Sequence, residues 1–555
     1  MAAPRLCCSV RAYRNQPQGA ASLTFQMNGG ESQTAHFLGR RESPPDTDVQ
    51  GGRLDGGASR FGLLLILVLA LALRLWDIWR TSIWFDEAYS LFLAKQGLAE
   101  ILRRLRVEDM HPPLYYVILG LWIRLFGTSE LAIRLPSAVM GVLLVGLTYA
   151  LARCVADERI ALTGAALVAL SPFQLMASRD ARMYPFLAVF ALAASYALWR
   201  AVETQQGRYW AAYVGAVVAA VYTHHFAFLV LLAHAAFVLA CARHRMRPWL
   251  GAGLVAGTAY LPFLPILWTQ LHHQRSWPIT RPVFGSSALA DLTGLLAFGG
   301  ELLGMGTYHT RSRLPLLWKL SLVLPFLMLV VLGSASVSGQ ARLFLASYLA
   351  LPVAVAGLVS LHMNVFYDRY FSFLVPPYAI LTAAGLWGLG RGAPRVRQAV
   401  LAAGGAALVF VYSLPALGTV YYGPSPYDWR GAAAYVEKRV RPDDLILYIP
   451  AFAHMPFDYY FSGPQVRAQL NPRELLAKEV KPSAELLVKQ RELRALAEQH
   501  PRMWVVATLP LGSEARLRFL DLVRPYFVER EGRDFHWVYV FLWESKVYQP
   551  RGSRR

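Results

Sequence analysis

Charge is what this sequence has least of. Only 16% of its 555 residues are Asp, Glu, Lys or Arg, while 55% are hydrophobic; soluble proteins carry about a quarter charged residues, so a soluble globular chain is excluded. Acids are the scarcer sign, 35 Asp and Glu against 55 Lys and Arg, for a net charge of +20. That balance does not indicate nucleic acid, because the arginines are scattered in short clusters between apolar runs instead of forming one stripe. Cysteine is almost absent: Cys7, Cys8, Cys154 and Cys241 show neither metal spacing nor a disulfide framework. No glycine-rich nucleotide loop and no internal repeat is visible, and no signal-peptide pattern is expected before the first apolar run.

What is present is a series of long apolar runs. Residues 1–60, rich in Gly, Ser, Gln, Pro and Arg, read as a disordered cytoplasmic tail. FGLLLILVLALALRLWDIW (61–79) then matches the length needed to cross roughly 30 Å of hydrocarbon. Ten further runs follow, near 131–152, 160–177, 185–201, 208–223, 225–241, 249–270, 314–334, 343–361, 371–390 and 398–417. If the first span leaves the cytoplasm, the linkers around Arg153/Arg159, Arg200/Arg208, Arg243/Arg245/Arg247, Arg342 and Arg391/Arg395/Arg397 all face inward, as the positive-inside rule asks. The count requires that HPPLYYVILGLWIRLF (111–126) and LFLAKQGLAEILRRLR (91–106) lie in the interface as helices of the first external loop. ALADLTGLLAFGGELLGM (288–305) is apolar enough to insert halfway. Beyond about 421 the composition becomes that of a soluble domain. YDWRGAAAYVEKRV (427–440) has helical spacing, and DDLILYIP (443–450), MWVVATLP (503–510) and RDFHWVYVFLWE (533–544) read as three strands. The expected architecture is a polytopic α-helical membrane domain over 61–420, a small extracytoplasmic α/β domain over 421–547 and a basic tail at 548–555.

The outward linkers hold the unusual residues: WFDEAYS (84–90), HPPLYY (111–116), SRDARMYP (178–185), YTHHF (222–226) and NVFYDRYF (364–371). With LFGTSELAIRLPSA (125–138) and DRYFSFLVPPYAIL (368–381), their order resembles the GT-C glycosyltransferases. The closer likeness is to the dolichyl-phosphate-mannose-protein mannosyltransferase branch, which includes lipid A aminoarabinose transferases. The resemblance covers about 61–385 strongly and the DWRGAAAYV-bearing tail weakly. It implies transfer of a sugar from a polyprenyl-phosphate carrier to an extracytoplasmic protein, lipid or glycan, with the first-loop acid, here Asp86, serving the reaction. Glu87 matches the second acid of the pair, His111 opens the HPP stretch, Arg182 and Tyr184 match the ARMY stretch, and Arg369 and Tyr370 match a late RY pair near the carrier phosphate.

Elementary chemistry supports the same roles. A sugar on a lipid phosphate already has a good leaving group, so one carboxylate acting as general base suffices for inversion, unlike in a glycosidase. Asp86 takes that role; the bland alternative for both acids is a helix cap. The departing phosphate needs donors, and Arg179, Arg182, His111, His224 and Arg369 all lie in outward linkers. For Arg179 and Arg182 the alternative is snorkelling at the interface, for His111 a helix cap, and for His224 a wet turn. Asp180, between two arginines, is expected to hold Arg182 by pairing, or with Asp86 and Glu87 to offer oxygens to a divalent cation, although no metal spacing stands out. His234, inside a span, reads as a satisfied core histidine. The competing function is a secondary transporter or flippase for an anionic lipid-linked substrate, which repeated halves and midplane binding groups would favour.

Overall fold

The computed structural model describes residues 56–273, 316–361, 365, 367–423, 425, 427–469, 484–508 and 514–549. Residues 1–55 of the expected tail, the 288–305 insertion and residues 550–555 of the basic tail lie outside these residues. Helices occupy every one of the eleven apolar runs that fall within them. Seven are long and apolar enough to cross a membrane, or eight if one bent pair counts as a single span. The first, α1 (Gly56–Leu75), starts and stops about four or five residues earlier than its hydropathy suggests, and Trp76–Arg80 turn away from it through Asp77 at φ 50°. Phe61, Leu64, Leu65 and Val68 point outward from α1; such an apolar exterior suits lipid.

The first loop carries three short helices. The amphipathic segment 91–106 is broken, not continuous: α2 (Phe85–Ala94) ends at Lys95 and α3 (Leu98–Leu105) restarts after Gly97. Then α4 (Leu114–Phe126) packs its Tyr115, Tyr116 and Leu119 inward; thirteen residues reach only about 20 Å, too short for a span. Next come α5 (Glu130–Val155), α6 (Glu158–Leu170) and α7 (Pro172–Arg179). The bend of 54° between α6 and α7 falls where Pro172 removes a backbone donor and Ser171 caps the new helix, its Oγ accepting from Gln174 N at 3.3 Å. That bend delivers residues 178–184 to the start of α8 (Tyr184–Thr204). The chain continues through α9 (Gly207–Val221), α10 (Ala227–Cys241), α11 (Met246–Tyr260) and α12 (Leu264–His273), then helices Leu316–Ser336, Gly339–Val359, Val375–Gly388 and Arg395–Tyr422.

The C-terminal part contains a five-stranded sheet in the order β2-β1-β3-β5-β4, with β1 Leu445–Ile449, β2 Val466–Gln469, β3 Arg502–Ala507, β4 Phe527–Phe535 and β5 Val538–Ser545. Strands β1 and β3 are buried at every position, as their continuous apolar runs imply. The stretch 533–544, expected to be one strand, is a hairpin that turns at His536 (φ 47°) and Trp537 (φ 68°). Two left-handed residues in succession make a tight turn without the usual Asn-Gly signal.

Candidate active site

The acid pair opens α2, and its two members have different tasks. Glu87 at the third position is fully buried. It takes a bidentate pair of bonds from Arg134 on α5, Nε to Oε1 and Nη2 to Oε2, both 2.7 Å. Ala181 N donates to Oε1 at 2.9 Å and Trp84 N to Oε2 at 3.3 Å. With both oxygens engaged and none exposed, Glu87 is a buried brace joining α2, α5 and the 178–184 linker and not a substrate contact, and its bond from Trp84 N is the helix cap that the sequence also allows. Arg134, itself buried, also donates to Ile78 O, Thr81 O and Ser82 O at 2.7, 3.0 and 3.3 Å.

Asp86 faces the other way and stays partly accessible. Its Oδ2 accepts from Arg369 Nη1 at 2.9 Å and lies 3.8 Å from Arg182 Nε. Arg182 is buried, with Nη1 3.1 Å from Ser90 Oγ and 3.3 Å from the Asp86 carbonyl. Arg369 comes from the 3₁₀ segment Asp368–Leu374, and its guanidinium lies 5.6–5.9 Å from the rings of Trp84, Tyr184, Tyr367 and Tyr370. Aromatic faces of this kind favour a cation while leaving its donors for an anion. Residues 283 positions apart in sequence thus meet, as an acid beside two arginines.

The histidines line the same place. The His224 ring centroid is 5.2 Å from His111, 4.9 Å from Tyr370 and 6.2 Å from Tyr184. His224 Nδ1 accepts from Phe226 N at 3.1 Å, which leaves the proton on Nε2, a buried atom with no partner among the described residues. Burial, then the neighbouring His111 and His225, hold His224 well below the ordinary histidine range, so it is a neutral donor. His111 Nδ1 is 2.7 Å from Asp109 Oδ1, and the Tyr116 hydroxyl donates to the other oxygen. Burial alone would raise Asp109, but His111 and Tyr116 hold its carboxyl well below the usual range. Gln270 on α12 closes the support, donating to Leu105 O and Asp109 O at 2.7 and 3.0 Å.

Asp180 does not clamp Arg182 as expected: only its backbone carbonyl meets Arg182 N, at 2.8 Å. Its carboxyl has no hydrogen bond or ion pair among the described residues, and burial, then Glu87, raise it to about 7. Arg179 leaves the site, donating to Leu73 O, Trp76 O and Asp77 O at the end of α1. His225 reaches Gln270 Oε1 at 3.3 Å, and His234 is satisfied in the core by Ser195 Oγ at 2.9 Å and Tyr213 Oη at 3.3 Å. Among the described residues no three His, Cys, Asp or Glu side chains are arranged to hold a metal ion; the Asp86, Glu87 and Asp180 oxygens fail as such a set because Glu87 is saturated. Sequence reasoning missed Arg134, Asp109 and Gln270. Arg134 sits inside LFGTSELAIRLPSA (125–138) and Asp109 two residues before His111; Gln270 gives no signal at all.

Comparison with known proteins bears on the fold and on the family of the central segment. Residues 110–268 match the family model described as dolichyl-phosphate-mannose-protein mannosyltransferase, a segment that includes His111, Asp180, Arg182, Tyr184 and His224. No curated protein matches the chain. Among solved structures, ArnT from Cupriavidus metallidurans bound to undecaprenyl phosphate is 14% identical with a TM-score of 0.54, covering 90% of this chain and 100% of that one. Oligosaccharyltransferase AglB from Archaeoglobus fulgidus, in complex with an inhibitory peptide and a dolichol-phosphate, is 14% identical with a TM-score of 0.53, over 87% of this chain and 74% of its own. Arabinofuranosyltransferase AftD from Mycobacteria is 14% identical, TM-score 0.51, over 89% and 40%. The chain is a membrane protein with the GT-C fold, and its core segment matches a family of glycosyltransferase enzymes.

Proposed function

We propose that the protein is an inverting glycosyltransferase that moves a monosaccharide from a polyprenyl-phosphate carrier to an extracytoplasmic acceptor, at the outer face of a bacterial inner membrane. The observation that carries this reading is Asp86 held between Arg369 and Arg182, with an unpartnered donor, His224 Nε2, on a neighbouring ring. In the reaction, the acceptor hydroxyl oxygen bonds to the anomeric carbon, its proton passes to Asp86, and the carbon–oxygen bond to the phosphate breaks with its electron pair on the leaving phosphate. Arg182, Arg369 and His224 stabilise that growing charge; Tyr184 and Tyr370 wall the sugar. The acceptor is a protein, a lipid or a glycan. Asp180 supports a second reading of the base, since a carboxyl raised to about 7 is matched to proton transfer near neutral pH.

The test is sugar transfer by purified protein from radiolabelled carrier-linked sugar, with analysis of the product's anomeric configuration. Transfer with inversion, abolished in Asp86→Ala, is the expected result. Wild-type turnover by Asp86→Asn, which keeps the shape and removes the base, rules out the role given to Asp86.

A further inference from the structure

The DWRGAAAYV stretch of the C-terminal part takes no share in the chemistry above, yet it meets the residues that lead into Asp86. Trp79–Trp84, between α1 and α2, is irregular, so its backbone groups need partners from elsewhere. Arg134 supplies two, to Thr81 O and Ser82 O, from inside the bundle. From the C-terminal side, Arg430 Nη2 donates to Trp79 O at 2.9 Å and Nη1 to Arg80 O at 3.4 Å, while Arg430 N donates to Ser82 Oγ at 3.2 Å. The Tyr460 hydroxyl accepts from Ile83 N at 2.8 Å, three residues before Asp86. Phe452 packs on Phe85 with ring centroids 4.5 Å apart.

Both grips converge on one acid. Glu130 Oε1 accepts from Arg430 Nη2 and from the Tyr460 hydroxyl, and Glu130 lies one turn before Arg134 on α5. The inner brace, Glu87 with Arg134, and the outer one, Arg430 with Tyr460, are therefore fixed to the same turn of one helix. Asp428 completes the contact: it caps the helix Trp429–Glu437 by accepting from Gly431 N at 2.8 Å, and it accepts from Ser82 Oγ at 3.4 Å.

From this we infer that the C-terminal domain is a positioning element of the reaction, setting the place of Asp86 through Arg430, Tyr460 and Glu130. This rests on the glycosyl-transfer reading only for its effect on rate. Arg430 and Tyr460 are positioning residues, since neither contacts Asp86, Arg182 or Arg369.

Full-length protein in lipid nanodiscs provides the test, with Arg430→Ala, Tyr460→Phe and Arg430→Lys compared with Arg494→Ala. Arg494 pairs with Glu498 at 3.0 Å on the helix Ala484–Gln499 of the same domain, a different helix from those that carry Arg430 and Tyr460. Expected for Arg430→Ala is a kcat loss of about 10- to 100-fold, with the Kd for undecaprenyl phosphate within about twofold of wild type. Amide exchange over Ile83–Ala88 should quicken in Arg430→Ala and at Ile83 in Tyr460→Phe, and Arg430→Lys should recover part of the rate. Unchanged exchange at these amides, or an equal rate loss in Arg494→Ala, overturns the inference. If wild-type protein transfers no carrier-linked sugar, the proposed reaction fails, and the exchange data still decide whether the domain fixes the loop.

Discussion

Asp86 and Glu87 are neighbours on one helical turn, and their opposite burial predicts opposite phenotypes. Glu87→Gln leaves Arg134 charged and buried without its partner, which costs about 3–5 kcal/mol; the expected outcome is a large fall in thermal midpoint along with activity. Asp86→Asn, at a partly accessible carboxylate, should keep the wild-type midpoint and lose turnover, so thermal unfolding and transfer assays on the two variants separate brace from base. Asp180 adds a pH dependence. Its carboxyl is raised from 3.8 to about 7, so between those values the folded protein keeps a proton that the unfolded chain has released, and stability falls as pH rises through that window. Asp180→Asn removes that cost: its midpoint should exceed the wild-type value at pH 8, with the gain fading toward pH 4. If Asp180 is the base, the acidic limb of kcat/KM near pH 7 disappears in this variant along with most of the rate. The residues readable in the sequence were those at span ends, such as Asp86, Arg182 and Arg369, where a polar group stands out against apolar neighbours. Arg134 was not, because its brace role depends on a partner 47 positions away.

At the scale of elements, hydropathy placed the long helices well, since each must bury or expose apolar surface over a whole span. It failed where local geometry decides: at the break between α2 and α3, at the bend before α7, and at the His536–Trp537 turn, which lacks a favoured turn pair. One helix contact bears directly on the site. Helix Val375–Gly388 begins just after the segment that carries Arg369, and it lies against Leu316–Ser336 at two glycines. A Cβ on Gly385 would come within 2.0 Å of Leu329 O, and one on Gly333 within 1.8 Å of Leu381 O. Small residues allow such backbone approach in membrane bundles. Gly385→Leu should therefore push the two helices apart and lower the thermal midpoint. Under the proposed reaction it should also weaken binding of the polyprenyl-phosphate carrier by displacing Arg369, a loss that Asp86→Asn should not share.

The contacts that tie the whole molecule together also constrain how it threads the membrane. Arg80 Nη2 donates to Gly423 O at 2.8 Å and Tyr459 Oη to Thr128 O at 2.8 Å, so the C-terminal domain and the first loop share one end of the bundle. Linkers 178–184, 222–226 and 367–374 reach that same end, because their side chains meet around Asp86. The arginine-rich linkers gather at the other: Arg159 lies 5.4 Å from the Trp387 ring, and Gln398 Nε2 donates to Trp387 O at 2.9 Å. Positive charge tends to stay on the cytoplasmic side, so the proposed orientation puts the Asp86 end and the sheet domain outside. Single cysteines at Gln206, between α8 and α9, and at Ser425, before the sheet domain, in a cysteine-free background test this with a membrane-impermeant maleimide on intact cells. Ser425→Cys should label and Gln206→Cys should label only after permeabilisation. The reverse pattern would turn the Asp86 site toward the cytoplasm and remove the extracytoplasmic acceptor, while labelling of both in intact cells would contradict the helix order itself.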